Sequence, residues 1–129
     1  MSATRRVLVA EDDRYLRRAA EARLRQQGFT VLTAADGEEA LRVARAEVPD
    51  LILLDLIMPK LQGFEVLRAL KEAEATAAIP VIVLSNLGQD SDRAQCMESG
   101  AIAYFVKANL SLQDLVRTVQ TTLAEESHS

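Results

Sequence analysis

Five short apolar runs punctuate the chain: Val7–Ala10, Val31–Leu32, Leu51–Leu54, Val81–Leu84 and Ala103–Val106. The first, third and fourth are unbroken rather than alternating, the pattern of strands buried on both faces of a sheet. Longer segments with apolar residues at helical spacing lie between and after them. Leu16, Ala20 and Leu24 mark the first, Leu41, Ala44 and Val48 the second, and Phe64, Leu67 and Leu70 the third. A fourth, over 90–99, carries only Ala94, Cys96 and Met97, so its grip on a sheet is expected to be slight. Leu112, Leu115, Val116, Val119 and Leu123 give the last and clearest amphipathic helix.

The polar punctuation agrees with this division. Asp13 stands directly before the first helix and reads as its cap, and Asp36 before Gly37-Glu38-Glu39 caps the second. Ser111 with Asp114 is a variant of the capping box at the last helix. Gly28 and Gly100 follow the first and fourth helices, where a left-handed closing residue is commonly glycine. Pro49 and Pro80 each precede a strand as chain breakers. Strand and helix alternating five times predict an α/β fold, a parallel sheet covered by helices on both faces. The expected strand order is 2-1-3-4-5, doubly wound and flavodoxin-like. Its ligand crevice then lies at the carboxyl ends of strands 1 and 3, where the order switches.

Composition narrows the functional classes. With 129 residues, 49% hydrophobic and 26% charged, the chain reads as one domain over 1–129, with an ordered core of 5–125. Residues 125–129, with His128 among them, read as a loose tail. A net charge of −4 argues against nucleic acid as a partner. Arg5, Arg6, Arg14, Arg17, Arg18, Arg23 and Arg25 are interleaved with apolar residues, as on a solvated helix face. No signal peptide opens the sequence and no apolar run is long enough to cross a membrane, so a cytoplasmic location without a membrane partner is expected. Cys96 is the only cysteine, which leaves no intrachain disulfide and makes it a packing residue.

The strand ends carry the candidate chemistry. Strand 1 runs into Glu11-Asp12-Asp13, strand 3 into Asp55, strand 4 into Ser85 and strand 5 into Lys107. Strand exits meet at one edge of a parallel sheet, so these residues are predicted to converge there. Two like charges about 4 Å apart at an effective dielectric near 20 repel by roughly 4 kcal/mol. A carboxylate cluster of this kind needs protons or a cation to neutralise it. Oxygen ligands alone favour Mg2+ or Mn2+. Helix capping accounts for Asp13, but it does not account for Asp55 between Leu54 and Leu56, or for Lys107 after Phe105-Val106.

Taken together these segments resemble the receiver domains of bacterial two-component response regulators. Val-Leu-Val-Ala-Glu-Asp-Asp at 7–13 resembles their opening, and Leu-Ile-Leu-Leu-Asp-Leu-Ile-Met-Pro at 51–59 with Gly63 their phosphoacceptor segment. Val-Ile-Val-Leu-Ser at 81–85 and Gly-Ala-Ile-Ala-Tyr-Phe-Val-Lys at 100–107 complete the set across essentially the whole chain. The resemblance implies that Asp55 is the phosphoacceptor. It further implies that Asp12 and Asp55 bind the metal directly, with Glu11 acting through water and the Ile57 backbone carbonyl as a further ligand. Lys107 and Ser85 would hold phosphoryl oxygens, and Tyr104 with Ser85 would form the switch. Ile57 and Leu87 would tune hydrolysis, and both are apolar, so a long-lived phosphorylated form is expected.

The implied function is a phosphorylation-dependent signalling switch, supplied by a sensor histidine kinase or a phosphotransfer protein. Its output would pass to a downstream protein through the face formed by strand 4, helix 4, strand 5 and helix 5. It is not expected to be an enzyme beyond self-catalysed phosphorylation and dephosphorylation of the aspartate. Family analogy puts kinase specificity near Arg14, Tyr15 and Arg18, and the polar tail favours a stand-alone regulator. Three departures stand out. Ala108 follows Lys107 where the family usually has proline and a cis bond, which costs about 3 kcal/mol before a non-proline residue. Asn86 follows Ser85 where a smaller residue is commoner, and Leu87-Gly88-Gln89-Asp90 is an unusual entry to the fourth helix. A phosphorylation-independent scaffold is the alternative, which the complete acid, serine and lysine set opposes. A flavin carrier of the same topology would need a phosphate cradle after strand 1, where Glu11-Asp12-Asp13 would repel a phosphate.

Overall fold

The computed structural model describes residues 4–86 and 90–127, with side chains as far as residue 125. Strand β3 (Leu51–Asp55) is buried at every position, which explains why its sequence carries no polar alternation. It pairs in parallel with β1 (Arg6–Ala10) on one side and β4 (Val81–Ser85) on the other. β2 (Thr30–Ala34) extends the sheet beyond β1, and β5 (Ala103–Val106) beyond β4. The order is therefore β2-β1-β3-β4-β5, as the alternation of elements predicts.

Side chains on successive strand positions point to opposite faces and build two cores. Leu8, Ile52, Leu54, Val81 and Val83 pack against α2 (Gly37–Glu47), α3 (Gly63–Glu72) and α4 (Asp90–Glu98). Val7, Val9, Leu51, Leu53 and Ile82 pack against α1 (Arg14–Gln26) and α5 (Leu112–Ser127). A short 3-10 turn, Lys107–Asn109, joins β5 to α5. No helix among the described residues is long and apolar enough to cross a membrane.

The caps fall where the sequence puts them. Asp13 accepts from the backbone N–H groups of Tyr15 and Leu16, at 2.9 and 3.1 Å. Asp36 accepts from Glu39 N at 2.8 Å, and Ser111 Oγ from Asp114 N at 3.0 Å. Gly28 and Gly100 take positive φ angles of 94° and 109°. Cys96 is fully buried, and it is the one buried residue of α4. Val48 corrects the sequence reading of the second helix. It is no core position of α2 but its C-cap, left-handed at φ 43° and 47% exposed. Pro49 is the cause, because proline disfavours helical geometry at the residue before it. The Val48 N–H still reaches Ala44 O at 2.9 Å before the chain turns away.

The carboxylate–lysine site at the strand exits

Three strands end together at the carboxyl edge of the sheet, and each delivers a charged side chain. β1 is followed by Glu11, whose backbone N–H bonds Ala34 O of β2 at 3.0 Å, so the strand end stays in the sheet and Glu11 is buried. Asp13 is committed to capping α1. That leaves the exposed Asp12 free to turn its carboxylate toward the crevice. β3 ends at Asp55, 3% exposed between the fully buried Leu54 and Leu56. A Cβ on Gly63 would lie 2.5 Å from Asp55 O and from Leu56 Cα. Only glycine therefore lets α3 start this close beneath the end of β3. β5 is followed by Lys107, whose bond to Ala108 is trans.

One carboxylate oxygen each from Glu11, Asp12 and Asp55 lies within 4.8 Å of the others. Lys107 Nζ lies 2.6 Å from Glu11 Oε1 and 3.1 Å from Asp55 Oδ2. The second oxygens of Asp55 and Glu11 are also engaged. Asp55 Oδ1 accepts from Ile57 N at 3.1 Å, and Glu11 Oε2 from Asp13 N at 3.1 Å. Three carboxylates facing one ammonium leave an excess of negative charge in a mostly buried place. Its consequence appears at Asp55, whose pKa is pushed up to about 7 by burial above all and by the adjoining Glu11. Lys107 and the Ile57 N–H pull in the other direction without prevailing. Burial pulls the Lys107 ammonium down, but its bonds to Glu11 and Asp55 outweigh this and raise its pKa overall. The donor set, oxygen only and short of positive charge, fits a hard divalent cation such as Mg2+ or Mn2+.

Ser85 and Tyr104 form a second unit beside the first. Ser85 is fully buried at the end of β4, in register with Val106 of β5. Tyr104 is turned inward and buried, with its phenol hydrogen-bonded to the Ser85 hydroxyl. Desolvation raises the phenol pKa, and this hydrogen bond opposes the rise. The Arg93 guanidinium of α4 covers the ring at 5.5 Å from its centroid. Ser85 is thus engaged with the aromatic residue, where the family resemblance implies that it turns toward a phosphoryl oxygen. The Ile57 side chain is exposed two residues beyond Asp55, and Asn86 is exposed after Ser85. Leu87, Gly88 and Gln89 lie outside the described residues, as does His128.

Two contacts were not anticipated from the sequence. Arg93 over Tyr104 is one. The other is Arg17, whose Nη1 donates to the backbone carbonyls of Glu11 and Asp12 at 2.8 and 3.2 Å. The signal for it was present: side chains on a helix lean toward its N-terminus, so a residue one turn in can reach the preceding loop.

The geometry agrees with independent comparisons. The sequence profile described as "Response regulator receiver domain" matches residues 7–120. The probable transcriptional regulator ycf27 of Cyanophora paradoxa is 44% identical over 103 residues, 80% of this chain and 42% of that protein. The chain thus spans less than half of that relative's length. The receiver domain of the Francisella response regulator 1452 superposes with a TM-score of 0.88 at 28% identity, covering 95% of this chain and 99% of that one. A CheY from Borrelia burgdorferi, solved in complex with CheX, BeF3 and Mg2+, superposes with a TM-score of 0.84 at 28% identity. That match covers 92% of this chain and 88% of that one. By strand order, by the residues at its strand exits and by the profile it matches, the chain belongs to the response regulator receiver domain family.

Proposed function

We propose that the domain is a phosphorylation-dependent switch in a two-component phosphorelay, with Asp55 as phosphoacceptor. The observation that carries this reading is a nearly buried carboxylate at a strand end, 3.1 Å from an ammonium and grouped with two further carboxylates. A carboxylate oxygen of Asp55 attacks phosphorus as the P–N bond to a phosphohistidine donor breaks, and the departing imidazole takes up a proton. The donor is a sensor histidine kinase or a phosphotransfer protein. Arg14, Tyr15 and Arg18, all exposed at the start of α1 beside the site, offer it a docking surface.

Phosphoryl transfer rests on positioning and on neutralising charge at the equatorial oxygens. Lys107 is placed to pair with one of these oxygens once Asp55 has reacted, and Ser85 with another after leaving Tyr104. Asp12 and Asp55, with the Ile57 carbonyl, would hold Mg2+ or Mn2+ directly, and Glu11 through water. That ion supplies electrostatic stabilisation of the transferring group, and the Borrelia CheY complex with BeF3 and Mg2+ supports the assignment by analogy. Movement of Ser85 and a rearrangement of Tyr104 and Arg93 would then alter partner binding across the β4, α4, β5 and α5 face.

Incubation with acetyl phosphate and Mg2+ should add one phosphoryl group by intact mass, and Asp55→Asn should abolish it. Labelling of that variant to the same extent, or full labelling in excess chelator, would refute the assignment. The apolar Ile57 and Leu87 cannot orient a hydrolytic water, so the acyl phosphate is expected to be long-lived. The double variant Ile57→Asn with Leu87→Glu should dephosphorylate roughly tenfold faster, equivalent to about 1.4 kcal/mol off the barrier. Matching rates in matched Mg2+ would remove those two side chains from control of hydrolysis.

A further inference from the structure

We propose that Arg17 is a positioning residue for the metal-binding carboxylates, acting through the backbone of the loop between β1 and α1. Its Nη1 group donates to the carbonyl oxygens of Glu11 at 2.8 Å and Asp12 at 3.2 Å. These are the two loop residues whose carboxylates enter the cluster. Glu11 has side-chain anchors of its own, in Lys107 and the Asp13 N–H. Asp12 has none: among the described residues its exposed carboxylate makes no hydrogen bond or ion pair. The backbone is therefore what places that side chain, and Arg17 bonds the Asp12 carbonyl.

The placement of Arg17 is not explained by helix stability. It lies one turn into α1, close to the positive end of the helix dipole, where acidic residues are favoured and cations are not. No acidic residue occupies the first turn of α1. Through space, moreover, a guanidinium near the carboxylates repels a divalent cation. The two effects of Arg17 on metal binding thus have opposite signs. Fixing the loop strengthens binding, whereas its charge weakens it. Positioning dominates in this proposal, because the guanidinium is bonded directly to the loop, whereas the three carboxylates of the cluster and the solvent offset its repulsion of a cation.

The inference rests on the reading of Glu11, Asp12 and Asp55 as the metal site, and the test separates the two. Calorimetric titration of the unphosphorylated chain with Mg2+ would compare the parent with Arg17→Ala, Arg17→Lys and Asp12→Ala. Loss of groups that orient metal ligands typically weakens metal affinity about 10- to 100-fold. Arg17→Ala is accordingly expected to raise the Kd about tenfold. Arg17→Lys, which keeps a flexible charged donor of similar reach, should stay within about threefold of the parent. Thermal melts in chelator establish that each variant is folded before titration. Tighter or unchanged Mg2+ binding in Arg17→Ala would overturn the proposal, as would equal losses in the alanine and lysine variants. Parent-like binding in Asp12→Ala would instead overturn the metal site itself.

Discussion

Strand β3 is buried from Leu51 to Asp55, and α3 behind it buries Val66, Leu67 and Leu70. α4, on the same face of the sheet, buries only Cys96 and leaves Met97 43% exposed. Asp55 thus stands on the most firmly packed part of the molecule, and the neighbouring helix that touches Tyr104 through Arg93 is among the least firmly held. Moving Asp55 would disrupt a strand buried on both sides, whereas moving α4 gives up little apolar contact. The proposed switch needs this division, since a bound group can shift only an equilibrium whose two states differ by a few kcal/mol. Elements that move are drawn from the less stable end of a fold.

The largest effect should come from breaking the firm side. Leu54→Ala is expected to cost about 3 kcal/mol of unfolding free energy in denaturant melts, and Cys96→Ala only about 1 kcal/mol. Equal costs would mean that α4 is as tightly anchored as β3, and the contrast would fail. The second test concerns charge at the firm end. Because the Asp55 pKa is raised in the folded state, its contribution to stability is full below the unfolded value near 3.8 and is lost as pH rises through about 7. In chelator at pH 8, Asp55→Asn should therefore be more stable than the parent, by on the order of 2 kcal/mol. The gain should fade below pH 5, where the parent carboxyl is itself neutral. A gain largest in acid would contradict the electrostatic account.

A smaller effect sharpens the comparison. Mg2+ at ten times its Kd should stabilise the parent by about 1.4 kcal/mol in thermal melts, and Asp12→Ala should remove most of it. Amide exchange measured alongside should slow more around β1 and β3 than in α4, because the ion ties strand ends together. Protection spread evenly over α4 would show that metal alone already couples the two regions.

Much of this was legible in the residues. Continuous apolar runs such as Leu51–Leu54 fit a strand covered on both faces, and five strands separated by helices, three of them of this kind, leave few topologies. Once the order is known, the convergence of Asp12, Asp55 and Lys107 follows from the direction of the strands. Val48 misled because an apolar residue at helical spacing carries no mark of the proline that ends its helix, except the proline itself. The bond from Lys107 to Glu11 depends on which of several carboxylates an ammonium reaches, and that is decided by tenths of an ångström. The inward Tyr104 with Arg93 above it joins residues from two elements at a helix–sheet contact, and neither pattern encodes the pairing. Arg17 looked like one more solvated arginine because several similar residues surround it.

The strand order has a further consequence for how the site fails. The acids are carried by β1 and β3, which have a hydrogen-bonded neighbour on each side, whereas Lys107 follows β5, an edge strand with one neighbour. Edge strands fray at lower free energy than central ones, since half of their backbone groups lack a partner in the sheet. A local opening of β5 therefore carries away the lysine and leaves the carboxylates in place. Heat or denaturant should accordingly remove the proposed competence for phosphoryl transfer before it removes the proposed ability to hold a cation.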